Sequence, residues 1–164
     1  MKSSSMSGTQ QLNRPKKNNH AQNSSKAQTA GYSVILDTSA WIEFLRATGS
    51  RADLKLQQAF SKSSAIWMPE VVCREVLQGA RSVAHFMQLQ TALDELSPYV
   101  SPDPFELARS ASLLYARCRW QGITIRSPND CLIAACAIEA DMPLLHADRD
   151  FLDLASVDKR LKLI

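Results

Sequence analysis

Ser33-Val34-Ile35-Leu36-Asp37-Thr38-Ser39-Ala40-Trp41 is the stretch that decides the fold. Three consecutive apolar residues, two of them β-branched, end at a polar stop and read as a short buried strand. Thr38 or Ser39 can cap a helix that continues through Leu45. A strand that passes straight into a helix is the opening unit of an alternating α/β chain.

The pattern repeats downstream. A helix is expected over Ala52 to Ser61 and a strand over Ala65 to Met68. Pro69 suits the first position of a helix that carries Glu75 and stops near Gly79. Phe86, Leu89, Leu93 and Leu96 share a helical face, and Pro98 to Pro104 interrupts it, with a short strand at Tyr99-Val100. Leu107, Ala111, Leu114 and Cys118 form another apolar stripe, which Gly122 ends. Ser127-Pro128-Asn129-Asp130 opens a nearly all-apolar helix to Ala140. Pro143 to Ala147 reads as a strand with Asp148 at its carboxyl end, and Leu161 to Ile164 as a last edge strand. Short apolar strands between amphipathic helices predict a three-layer α/β/α sandwich around a mainly parallel sheet. In such sheets the working site lies beyond the carboxyl ends of the strands. Asp37 and Asp148 each follow an expected strand directly, so both should face that crevice.

Working upstream, the composition changes abruptly. Residues 1–31 are rich in Ser, Gln, Asn and Lys with little to bury, and read as a disordered polar extension. Lys16 and Lys17 could touch nucleic acid weakly. The folded domain is expected over residues 32–164. The formal charge of +3 misrepresents that domain, because five of the 19 basic groups lie in the extension, leaving 14 to face 16 acidic groups. A slightly acidic body argues against a protein that coats DNA, and suits one whose carboxylates recruit a cation. The longest apolar run, Cys131 to Ile138, is far short of the roughly 18 residues a membrane span needs. Residues 1–30 lack the apolar core of a secretory signal, so a soluble cytoplasmic protein is expected. Cys73, Cys118, Cys131 and Cys136 show neither CxxC nor zinc-ligand spacing and read as buried free thiols.

Four carboxylates stand where hydrophobic neighbours otherwise dominate: Asp37, Glu75, Asp130 and Asp148. Each has an ordinary explanation. Asp37 could cap a helix. Asp130, three residues after Ser127, holds the position of a capping-box acid. Glu75 could face solvent, and Asp148 with Asp150 could form the turn after a strand. Jointly they say more, since separate caps would not need two acids at strand ends and two early in helices flanking one sheet. Crowded like charges repel, and a hard divalent cation, Mg²⁺ or Mn²⁺, relieves that repulsion. Such an ion also serves phosphodiester hydrolysis.

Leu36-Asp-Thr-Ser-Ala-Trp-Ile42, Arg74-Glu-Val76, Ser127-Pro-Asn-Asp-Cys-Leu-Ile-Ala-Ala135 and Leu144-Leu-His-Ala-Asp-Arg-Asp-Phe151 resemble the motifs of PIN-domain proteins. They are most similar to the VapC-type toxins of bacterial toxin–antitoxin pairs. The resemblance runs over residues 33–164, in order and with natural spacing. It implies a Mg²⁺-dependent ribonuclease acting on tRNA or rRNA, usually a homodimer, inhibited by a small antitoxin whose tail occupies the groove. By the same resemblance, Asp37 and Asp130 match the principal metal ligands. Glu75 and Asp148 match acids that bind a second ion or hold waters. Thr38 or Ser39 matches a supporting hydroxyl, and Asp150 the second acid of the final motif.

The resulting expectation is metal-assisted in-line attack that leaves 5′-phosphate and 3′-hydroxyl ends. Arg46, Arg74, Arg126 and Arg149 are candidates for gripping RNA phosphates, against the alternative of ordinary surface charge. His146 reads as a packed or edge histidine. Trp41, Trp67 and Trp120 read as core or subunit packing rather than base-stacking platforms. Two other classes fit less well. A haloacid-dehalogenase-like site wants Asp-x-Asp after the first strand, where this chain has Asp37-Thr38-Ser39. A receiver domain wants adjacent acids and a late Lys. A non-toxin PIN nuclease of RNA processing and a catalytically silent PIN scaffold are the remaining alternatives.

Overall fold

The computed structural model describes residues 33–164, so the expected extension, residues 1–31, and Tyr32 lie outside the described residues. Strand β1 (Val34–Leu36) leads into α1 (Thr38–Leu45) and α2 (Arg51–Ser61). Strand β2 (Ile66–Pro69), α3 (Glu70–Gln78), α4 (Val83–Leu93) and β3 (Ser97–Tyr99) follow. Helices α5 (Pro104–Trp120) and α6 (Pro128–Glu139), strand β4 (Leu144–Leu145) and α7 (Asp150–Val157) complete the order.

The four strands pair in the order β3-β2-β1-β4, every pair parallel. The chain therefore adds strands outward on one side of β1 and then crosses to its other side. That reversal places a topological switch point between β1 and β4, where the loops leaving the two strands diverge and a crevice opens. Val34, Ile35 and Leu36 are all fully buried. Successive strand side chains point to opposite faces, so helices must cover both, as in the expected three layers.

Helix α6 is the hydrophobic centre of the helical layers, burying Cys131 and the run Ile133 to Ala137. Ser127 caps it and Pro128 occupies its first turn. The α5 stripe buries Ala111, Leu114 and Cys118 as its spacing predicts. All four cysteines are free; three are buried and Cys73 is half-buried.

Several boundaries differ from expectation. Pro69 ends β2 and caps α3 rather than lying inside it. Helix α4 stops at Leu93, leaving Leu96 buried in the turn beyond and Phe86 38% exposed. Strand β3 sits two residues early. The carboxyl-terminal edge strand reduces to a single parallel bridge between Leu144 and Leu163. Trp120 is 74% exposed, so it is not core, whereas Trp41 is buried.

The largest omission is α7, whose acidic start reads as a turn when taken alone. Its Phe151, Leu154 and Val157 are nonetheless buried at helical spacing, and Asp150 and Asp153 lie in its positive first turn. Phe151 is fully buried and its ring meets that of His146 at 5.2 Å. Phe151→Ala should therefore cost about 3–5 kcal/mol. Urea unfolding checks this, and a loss under roughly 1 kcal/mol would show that α7 is weakly docked.

Candidate active site at the sheet switch point

Asp37 is the residue at which β1 becomes α1. It is 3% exposed, and its Oδ2 accepts the Ser39 backbone N–H at 2.8 Å and the Ser39 hydroxyl. The capping explanation thus holds for Asp37, but a cap is normally solvated and this one is not. Burial pushes its pKa up to about 6, against the lowering effect of the Ser39 and Thr38 hydrogen bonds, and the charge of Glu75 adds to the rise.

Ser39 also fixes the far side of the crevice, because its Oγ accepts the Ala147 backbone N–H at 2.9 Å. Thr38 donates to Glu75 Oε2 at 2.5 Å, tying α1 to α3. Asn129 donates to Glu75 Oε1 at 2.6 Å and accepts from Arg74 Nη2 at 3.3 Å, tying α3 to α6. Glu75 is therefore half-buried and doubly held, not a solvent-facing helix residue. The two hydroxyls foreseen beside Asp37 have separate tasks: Ser39 serves Asp37 and Thr38 serves Glu75. Asn129 is the site residue that sequence reasoning missed. Its signal was its place beside Asp130, but amides abound near helix starts and nothing local singles this one out.

Asp130 follows Ser127 at the capping-box position without acting as its acid. Its backbone N–H bonds Ser127 O, while its carboxylate accepts no hydrogen bond from the described residues. Burial, then the charges of Asp37, Asp148, Asp150 and Glu75, push its pKa up to about 7. One half-buried carboxylate thus feels four others that come from the β1–α1 junction, α3, the β4–α7 connection and α7.

The quartet is not, however, a closed cage. Strand β4 ends at Leu145, so Asp148 lies three residues beyond the sheet rather than directly after a strand. Among the described residues, no three His, Cys, Asp or Glu side chains are arranged to hold a metal ion. Two of the four acids are already engaged by the protein. Glu75 is engaged as above, and the Arg126 guanidinium pairs with Asp148 and, through Nε at 3.0 Å, with Asp150. Burial would raise the pKa of Asp150, but the hydrogen bonds and charge of Arg126 outweigh it and lower it.

Asp37 and Asp130 remain the two acids with raised pKa values and oxygen donors suited to a hard cation. Mg²⁺ commonly takes one or two carboxylates and keeps several waters, so this donor pair fits it.

The arginines foreseen as phosphate grips divide. Arg126 is committed to Asp148 and Asp150, and Arg74 reaches Asn129 at the site's rim. Arg149 is exposed in the loop after Asp148. Arg46 caps the far end of α1. At a rise of 1.5 Å per residue that puts its backbone about 13.5 Å along the helix from Asp37. His146 is half-buried as expected, with Nδ1–H donating to the Asp148 carbonyl at 2.7 Å.

The raised acids make stability depend on pH. Asp130 has a folded pKa of about 7 against an ordinary 3.8, so its contribution is full below 3.8 and is lost as pH rises through about 7. In EDTA, the urea midpoint should therefore rise as pH falls from about 7.5 to about 5. Burial lowers the pKa of His146, which acts in the opposite sense. Asp130→Asn isolates this acid, because it should remove its component of the slope and leave those of Asp37, which is raised to about 6, and His146. Identical slopes for the two proteins would show that Asp130 is not crowded.

The profile of the PIN domain family matches residues 34–157. Ribonuclease VapC11 of Mycobacterium tuberculosis is 39% identical over 119 residues, covering 72% of this chain and 88% of that protein. VapC ribonuclease Mb1587 of Mycobacterium bovis matches to the same extent. Among solved structures, VapBC2 of Rickettsia felis bound to a promoter DNA fragment aligns with a TM-score of 0.63 at 17% identity. That alignment covers 80% of this chain and 97% of the other. VapBC-1 of nontypeable Haemophilus influenzae aligns at 0.62 and 15% identity, covering 80% and 96%. The chain belongs to the PIN-domain family and, within it, to the VapC ribonucleases, which are hydrolases of phosphodiester bonds.

Proposed function

We propose that the protein is a Mg²⁺- or Mn²⁺-dependent endoribonuclease and the toxin of a toxin–antitoxin pair, cutting tRNA or rRNA and so inhibiting translation. The observation that carries this reading is Asp130, a carboxylate with no protein donor, half-buried among four like charges. A purely structural acid would be expected to have a cap, a cation or open solvent. The named relatives are ribonucleases, and the solved neighbours are VapBC assemblies, which supports a small antitoxin as partner; a homodimer is the working form we propose with it.

In this reading Asp37 and Asp130 would hold the cation, with Glu75 and Asp148 holding water or a second ion. When bound, a hard divalent cation draws charge from a phosphoryl oxygen and acidifies an adjacent water. The protein's own work is positional. Ser39 orients Asp37, Thr38 and Asn129 fix Glu75, and Arg126 holds Asp148 in place. In-line displacement of the 3′-oxygen leaves 5′-phosphate and 3′-hydroxyl ends. The ribose 2′-hydroxyl takes no part, so preference for RNA rests on single-strand access and shape.

The purified protein should cut a mixed RNA pool with Mg²⁺ or Mn²⁺ and not with EDTA. Asp37→Ala and Asp130→Ala should each lower the rate roughly 100-fold or more, with far-ultraviolet circular dichroism unchanged. Cleavage by Asp37→Ala at the original rate would refute the assignment. Expression of the wild type, but not of Asp130→Ala, should halt incorporation of labelled methionine in cells. Continued incorporation with active nuclease would instead favour RNA processing.

A further inference from the structure

A groove of about 540 Å³ adjoins the acidic crevice and shares Asp148 with it. Arg51, His146, Arg149 and Leu152 line it, with Leu163 and Ile164 adding apolar surface. Arg51 opens α2, and Lys55 lies one turn further along the same helical face. The two cations are close: after burial, the charge of Arg51 lowers the pKa of Lys55, and both charges lower that of His146.

Among the described residues, Arg51, Lys55 and Arg149 are paired with no carboxylate. Other arginines show that this chain can pair such groups. Arg117 and Arg160 both bind Asp158, which they hold down to about 2, and Arg126 binds Asp148 and Asp150. Three cations left together beside a carboxylate centre repel one another and do nothing evident for the fold. A polyanion would relieve that repulsion, as a divalent ion would relieve the opposite repulsion next door. Basic grooves with apolar lining are how proteins track single-stranded nucleic acid without reading its sequence.

We propose that this groove, continued along α2 to Lys55 beyond its lining, carries the phosphodiester backbone of single-stranded RNA on one side of the bond to be cut, with Arg51, Lys55 and Arg149 each facing a phosphate. The proposal rests on the ribonuclease reading and extends it to a substrate path. Arg149 keeps the role expected from sequence, while Arg51 and Lys55 replace Arg46 and Arg126.

Binding and cleavage test the two readings separately. An Asp37→Asn/Asp130→Asn protein should bind a labelled single-stranded RNA without cutting it. Each lost phosphate contact lowers the slope of log affinity against log salt by about 0.7, so adding Arg51→Gln/Lys55→Gln/Arg149→Gln should lower it by about 2. With the acids intact, the same triple variant should raise KM roughly tenfold while kcat stays within about twofold. Arg81→Gln/Arg119→Gln, which changes cations outside the groove, should alter neither. An unchanged slope and KM in the triple variant, or no RNA binding by the Asp37→Asn/Asp130→Asn protein, would overturn the groove. Binding with the expected slope by a wild type that never cuts RNA would refute the nuclease reading and leave the groove standing.

Discussion

Mutual repulsion among carboxylates at the carboxyl edge of the sheet is the constraint to which the rest of the site responds. Asp37, Glu75, Asp130, Asp148 and Asp150 come from five positions in the chain, yet Asp130 feels the charge of the other four. Such an arrangement survives only if each charge is neutralised, hydrogen-bonded or protonated. The protein uses all three. Arg126 neutralises Asp148 and Asp150, Thr38 and Asn129 satisfy Glu75, and Asp37 and Asp130 have their pKa values driven up. The acids left in the last condition are the ones chemically ready to exchange a proton for a cation.

The fold makes that crowding possible because its strand order reverses at β1. A strand that continued outward would have sent Asp148 to the far edge beyond β3, whereas the crossover puts β4 beside β1. Leu36 and Leu145 are then register partners, and the loops that follow them diverge around one crevice. The Ala147 N–H bond to Ser39 Oγ closes it from one side, and the Asn129–Glu75–Thr38 chain from the other. Rigid packing beneath, with Val34, Ile35, Leu36, Leu144 and Leu145 all fully buried, holds the like charges together. An acidic centre flanked by Arg51, Lys55 and Arg149 has the charge division that a cation-assisted reaction on a polyanion requires.

Much of this was legible before any fold was known, because the informative signals are local. Val34 to Leu36 could only be a buried strand, the α5 and α6 stripes declare helices, and acids at the ends of elements are conspicuous among apolar neighbours. Signals failed where two local meanings compete. Asp148-Arg149-Asp150 serves equally as a turn and as the start of a helix, so α7 was lost to the turn. Pro69 fits a strand end as well as a helix start, and docking of β2 against β1 and β3 chose the strand.

By itself, then, the sequence determined the α/β class and the parallel sheet and made the acids conspicuous as candidates, since these depend on periodicity and on neighbours a few residues away. Only the tertiary structure decided which acids stay free and which are spoken for. Arg126 is 22 residues from Asp148, and Asn129 is 54 from Glu75, distances along the chain that no local pattern spans. Ion pairing falls off within ångströms in space, and spatial proximity is what the packing of β4 against β1 sets. The same packing leaves Arg46 at the far end of α1 and Arg126 bound to Asp148 and Asp150.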